Sequence, residues 1–252
     1  MGFEVRKGVV IVNHSHNEFA VTSVKDNPTS AFINGLEVHS AFSRKRKRLR
    51  RGKGSNQRVA GDNCPMIYAL KGKDDLTTNR SEVLKLNANL KEVIKKFAIG
   101  SDDWDLIVSL PSSHSIGHIV ARRLQRAFGN QTVAINNMFR KKNIFEARAE
   151  IKSSSLPVKD KRYFEDRLSL QRKEVGWGGP YSLKGIFANQ REKLSLLVMI
   201  NPPNKGVVRR VLLVDDVVSS GTTLNSAKAL IEQSLDDVEV QAFCLFSASG
   251  AK

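Results

Sequence analysis

Two adjacent carboxylates, Asp215 and Asp216, follow four apolar residues and precede a small, hydroxyl-rich loop in the stretch VLLVDDVVSSGTT, residues 211–223. The residue types divide the work that such a stretch can do. Successive backbone N–H groups over Ser219, Ser220, Gly221, Thr222 and Thr223 can wrap a phosphate, and the four hydroxyls add donors. Gly221 permits the turn and a close approach of the anion to the backbone. The pattern after Thr223 predicts a helix, whose positive end would face the same anion. The carboxylates would repel a phosphate, so they suit sugar hydroxyls, or water around a divalent cation, a few ångströms away. A buried strand over Val211–Val214 would deliver both acids to its carboxyl end, where open α/β sheets bind ligands. No Gly-Lys-Ser/Thr follows a glycine-rich loop, which argues against an ATP-binding P-loop.

This stretch resembles the ribose-5-phosphate signature of type I phosphoribosyltransferases at every position: apolar strand, Asp215-Asp216, Val217-Val218, then Ser-Ser-Gly-Thr-Thr. The resemblance implies that Asp215 and Asp216 meet the ribose 2′- and 3′-hydroxyls of phosphoribosyl pyrophosphate, while Val217, Val218 and Ser219–Thr223 hold its 5′-phosphate. It also implies an earlier strand whose loop binds the pyrophosphate. Asp105–Leu110, the loop PSSHS and the helix after it stand in that order, so Ser112 and Ser113 are the candidates there; an ordinary helix-capping turn is the competing reading. A flexible basic loop that closes over the substrate is implied as well, with Arg140, Lys141 and Lys142 as candidates. The implied activity is transfer of the phosphoribosyl group to a nitrogenous acceptor with release of pyrophosphate, assisted by Mg2+ carried on the ligand. Orotate, a purine base, an amine or a nucleic-acid group all remain open as acceptors, and a homodimer is among the implied assemblies. A second reading stays beside the first: a protein of the same fold that senses a phosphoribosyl ligand and binds nucleic acid, as a regulator or a bacterial defence component. The resemblance covers about residues 105–135 and 208–246.

Elements able to position these residues are legible in the apolar spacing. Strands are expected at 105–110, 131–136, 208–214 and 238–246, with helices at 116–128 and 222–235 between them. Strand, crossover helix and strand repeated in order predict an α/β chain with an open, mainly parallel sheet and flanking helices. Residues 139–205 are long and polar, with one helix expected over 160–172, and read as an insertion into a core spanning 101–252. Residues 1–100 read as an N-terminal, β-containing region. There, 8–12 and 19–24 are expected to pair as a hairpin, 41–63 is expected to be a polar loop, 65–70 a strand, and 81–97 a helix capped by Ser81.

Charge is unevenly spread. The formal net is +16, and Ser43–Lys53 alone holds eight basic residues and no acid: Arg44, Lys45, Arg46, Lys47, Arg48, Arg50, Arg51 and Lys53. Phe139–Lys173 adds 11 basic and 5 acidic residues, a net of +6. A nearly neutral body with two basic segments predicts local contact with polyanions, and Ser43–Lys53 is the candidate arm for DNA or RNA. His14 with His16, and His114 with His118, lack a third ligand at motif spacing, so no protein metal site is expected. Two distant cysteines, a charged N-terminal segment and the lack of a long apolar run fit a reducing cytoplasm, without export or a membrane span.

Overall fold

The computed structural model describes residues 2–13, 19–45, 64–129, 131–183, 185–204 and 208–248. Strands β1 (Gly2–Arg6) and β2 (Val9–Asn13) form a separate antiparallel hairpin closed by Lys7 and Gly8, both at positive φ. Pairing of 8–12 with 19–24 is thereby corrected. Residues Ala20–Val21 (β3) instead join the central sheet. Strands β4 (Thr29–Ile33) and β5 (Leu36–Arg44) make a second hairpin, turned by Asn34 and Gly35 at φ 51° and 77°, the left-handed pair that a two-residue hairpin requires. The polar loop expected over 41–63 does not begin at residue 41, because Ala41 and Phe42 are fully buried in β5; residues 46–63 lie outside the described residues. Residues Pro65–Leu70 are a short helix, α1, rather than a strand; Pro65 stands in its first turn, where a missing N–H costs nothing. Helix α2 (Arg80–Ile99) is capped by the Asn79 side chain, which accepts from Glu82 N, and not by Ser81.

From here strands and helices alternate: β6 (Leu106–Ser109), α3 (Ile116–Phe128), β7 (Val133–Ile135), then β10 (Arg210–Val217), α6 (Thr222–Ser234) and β11 (Glu239–Phe246). The insertion between them carries β8 (Phe139–Lys141), α4 (Ile144–Ser153), α5 (Val158–Val175), a 3-10 turn (Ala188–Lys193) and β9 (Leu197–Met199). In the central sheet the order is β3-β5-β11-β10-β6-β7, with β4 also on β5. Strands β5, β11, β10, β6 and β7 run parallel, while β3 and β4 run antiparallel to β5. The fold is thus α/β with a mainly parallel sheet, and β5 carries that sheet back across residue 101 into the N-terminal region.

Two apolar layers hold the helices to opposite faces. Val120, Ala121 and Leu124 of α3 pack with Ile107, Leu212 and Val214, on the same side as α1, α2 and the β1–β2 hairpin. Leu224, Ala227 and Ile231 of α6 pack with Val211, Leu213 and Ala242 on the other side. The insertion covers that second face through Met138, Ile144, Phe164 and Tyr181, all buried. The chain therefore leaves the neighbouring strands β6 and β10 in opposite directions. A crevice at their carboxyl ends follows from this reversal, and it is where open α/β sheets take ligands. No helix among the described residues is long and apolar enough to cross a membrane.

Candidate functional site

Side chains alternate across a strand, so the two acids of β10 part company. Asp215 falls on the α6 face and Asp216 on the α1 face. Asp215, half-buried, lines a cavity of about 270 Å³ together with Val217, Val218 and the whole run Ser219–Thr223. Asp216 is buried, and its Oδ2 lies 2.5 Å from Nζ of Lys71, in the turn that ends α1. The backbone links the acids: Asp216 N–H donates to Asp215 Oδ1 at 2.8 Å. Burial, and then the Asp216 charge, push the Asp215 carboxyl up to about 7; the Asp216 N–H and the Lys71 and Lys141 ammonium groups pull the other way.

Gly221 adopts φ 74° and caps α6, whose first turn holds no acid and receives no side-chain cap. The unpaired N–H groups of that turn border the cavity, and the Ser220 and Thr222 hydroxyls share a hydrogen bond of 2.9 Å beside it. A Cβ on Gly221 would stand 2.7 Å from Ile33 Cγ2 of β4, so the glycine is needed for packing as well as for the turn. Gly221→Val is expected to cost about 1–2 kcal/mol from the left-handed backbone alone, with more from Ile33. Urea denaturation measures that loss. Calorimetry with ribose 5-phosphate should show weaker binding in the same variant, and unchanged affinity would put the phosphate elsewhere.

Arg191, from the 3-10 turn of the insertion, completes the cavity wall opposite this loop. Its Nε donates to Ile186 O at 3.0 Å, which orients the guanidinium, and its terminal nitrogens have no partner among the described residues. Sequence reasoning missed Arg191, since no motif surrounds it; only the folding of the insertion over α6 brings it to Ser219–Thr223.

Ser112 and Ser113 are exposed on the loop after β6, and Ser112 Oγ accepts from His114 N. That loop is anchored beside Asp215: Leu110 N donates to Val214 O at 2.9 Å, and Gly117 of α3 lies directly against the Asp215 backbone. Neither serine lines the 270 Å³ cavity. Arg140 and Lys142 are engaged inside the insertion, with Glu146 and Glu150 respectively, each at 2.5 Å. The Arg140 hydrogen bond holds the Glu146 carboxyl down at about 2. These residues belong to β8 and its end, so the open basic loop expected there is a strand paired with β9. Of the three, Lys141 is the one whose charge is among the main influences on the Asp215 carboxyl.

Arg44 is a correction. It is 7% exposed, the last residue of β5, with its Nη2 donating to Val218 O at 2.7 Å, its Nε donating to Ser247 O, and its N–H donating to Ser247 Oγ. A guanidinium spent on two carbonyls is a brace between β5, the loop after β10 and the end of β11, not part of a nucleic-acid arm. Lys45 follows, exposed, with its N–H donating to Phe19 O. Arg46, Lys47, Arg48, Arg50, Arg51 and Lys53 lie outside the described residues, as do His14 and His16. Among the described residues no three His, Cys, Asp or Glu side chains come together to hold a metal. Both cysteines are buried: burial pushes the Cys64 thiol up to about 12, and burial, then the charges of Asp215 and Asp216, raise Cys244, level with Asp215 on β11, well above the ordinary thiol value. Neither is a nucleophile at neutral pH.

No protein-family model matches this chain, and no curated protein matches it.

Proposed function

We propose that the cavity holds the ribose 5-phosphate portion of phosphoribosyl pyrophosphate and that the protein transfers the phosphoribosyl group to a nitrogenous acceptor, releasing pyrophosphate. The observation that carries this reading is one cavity, at the sheet's reversal point, walled by an open helix start, a guanidinium and a carboxylate: Gly221–Thr223, Arg191 and Asp215. The first two suit a phosphate, and the third suits the sugar hydroxyls beside it. As the bond at the anomeric carbon breaks, positive charge grows on the ribose. An ionised Asp215 then stabilises the ring that it also orients. Asp216 acts behind it, through the backbone N–H to Asp215 and through its hold on Lys71. Magnesium, when bound, would neutralise charge on the departing pyrophosphate, and Asp215 is the carboxylate in the cavity that would hold it, through water.

The Lys71–Asp216 pair favours a second reading, because it occupies an acid that the transfer reaction would otherwise use. In that reading the cavity binds a phosphoribosyl ligand as a signal. Pyrophosphate release from phosphoribosyl pyrophosphate and Mg2+, across a panel of bases and amines, separates the two. Release with any acceptor supports transfer, and saturable binding with no release across the panel supports sensing. Arg191→Gln is expected to weaken ribose 5-phosphate binding about tenfold with little change in stability, read by calorimetry and thermal denaturation. Unaltered affinity would remove Arg191 from the phosphate site.

A further inference from the structure

A second concave site lies on the insertion. It is a groove of about 360 Å³ lined by Asn143, Phe145, Arg148, Trp177 and Gly178. The backbone segments that carry its two rings are tied together. Phe145 N donates to Trp177 O at 3.2 Å and Ile144 N to Gly179 O at 3.0 Å, so the loop after α5 is bonded to the first turn of α4. The Asn143–Glu146 capping box fixes that turn in its place. Phe145 is nevertheless 65% exposed and Trp177 37% exposed. Leaving two such rings in contact with solvent is unfavourable.

Cations surround these rings. The guanidinium carbon of Arg172 lies 4.8 Å from the Trp177 ring centroid and that of Arg148 lies 5.1 Å away. Arg148 also pairs with Glu165 at 3.0 Å, whereas Arg172 has no carboxylate partner among the described residues. The surrounding segment, Phe139–Lys173, carries the net of +6 noted above. An apolar slot for a flat ring, bordered by guanidinium groups in a positive field, matches one kind of ligand: an unpaired nucleobase with its phosphates. A neutral or basic peptide would satisfy the rings but not the charge, and an acidic one would offer no flat ring for the slot. A duplex would satisfy the charge but cannot offer a base face.

We propose that this groove is a binding site for single-stranded nucleic acid, with one base stacked on Phe145 against the edge of Trp177, and with Arg172 and Arg148 on the flanking phosphates. The site is separate from the Asp215 cavity and does not depend on what that cavity does.

Trp177 supplies its own readout, because the other tryptophan, Trp104, is buried and stacked under Arg210. The full-length chain is titrated with a twelve-residue oligothymidylate, its RNA counterpart, the same strand as a duplex, and an abasic strand of equal length. The single strands should bind and change the Trp177 emission; the DNA and RNA arms show whether the 2′-hydroxyl matters. Phe145→Ala should weaken single-strand binding about tenfold, and Phe145→Tyr should retain it. Arg172→Gln should weaken it and flatten its dependence on salt. Abasic strand or duplex binding as well as the single strand would overturn the proposal. So would binding that leaves Trp177 emission unchanged or survives Phe145→Ala, either of which assigns the contact to another basic segment. Self-association of the chain that Phe145→Ala abolishes, without oligonucleotide binding, would give the groove to a second copy of this protein instead.

Discussion

Asp215→Asn is expected to abolish pyrophosphate release, by on the order of a hundredfold or more, and to weaken ribose 5-phosphate binding, while the chain still folds. The substitution keeps the shape and the backbone contact but removes the charge that, in the proposed reading, would face the sugar. It should also change how stability depends on pH. The folded-state carboxyl titrates at about 7 against an ordinary 3.8, so between those values the folded chain holds a proton that the unfolded chain has released. Stability must then fall as pH rises from about 4 to about 7, and level off above that. Asparagine has no such proton, so the variant gains stability relative to the parent across this window. Urea melts at several pH values measure the gap. A gap that stays flat from pH 4 to 8 would mean that Asp215 ionises like a surface carboxylate.

The second large effect is expected at Lys71 and Asp216. Removing either partner leaves the other charge buried with no counter-ion, so Asp216→Ala and Lys71→Met should each cost about 3–5 kcal/mol. Replacing both, as Lys71→Met with Asp216→Leu, should recover most of that loss, because two apolar side chains in the same volume pay no desolvation penalty. A double-mutant cycle by urea denaturation gives the coupling directly. Single losses below about 1 kcal/mol that simply add would show a pair screened by water.

Much of the α/β core was readable because its signals are local. The apolar run of β10, the hydroxyl-rich turn and the periodic faces of α3 and α6 each lie within one stretch of chain, and α3 begins and ends where its spacing predicts. What escaped depended on partners remote in sequence. The β4–β5 hairpin carries a plain Asn34-Gly35 turn signal, yet the role of β5 in the main sheet appears only when Val38 pairs with Ala242. Pro65–Leu70 has the composition of a strand, and its packing with Met66 and Ile67 buried decides for helix. The site divided in the same way. The acids and the loop were evident from residue types, but strand alternation sends only Asp215 into the cavity, and Lys71, Arg191 and Arg44 arrive from the turn after α1, from the insertion and from β5. A dense basic run hides one member with a structural task, since composition cannot tell a buried guanidinium from a solvated one.

The place of β11 between β10 and β5 sets the order in which this protein can be made. During synthesis β5 emerges early and β10 late, and neither has its shared neighbour until Glu239–Phe246 has left the ribosome. Until then both strands present an unpaired edge to other chains. Asp215 in turn lacks the strand on which Cys244 stands level with it. Closing contacts of such long sequence separation is slow. The nascent chain thus passes through an interval when its most apolar strands are exposed and its acid-bearing strand is docked on one side only, so the yield of native protein at synthesis should respond to temperature and chaperone supply more than its final stability would suggest.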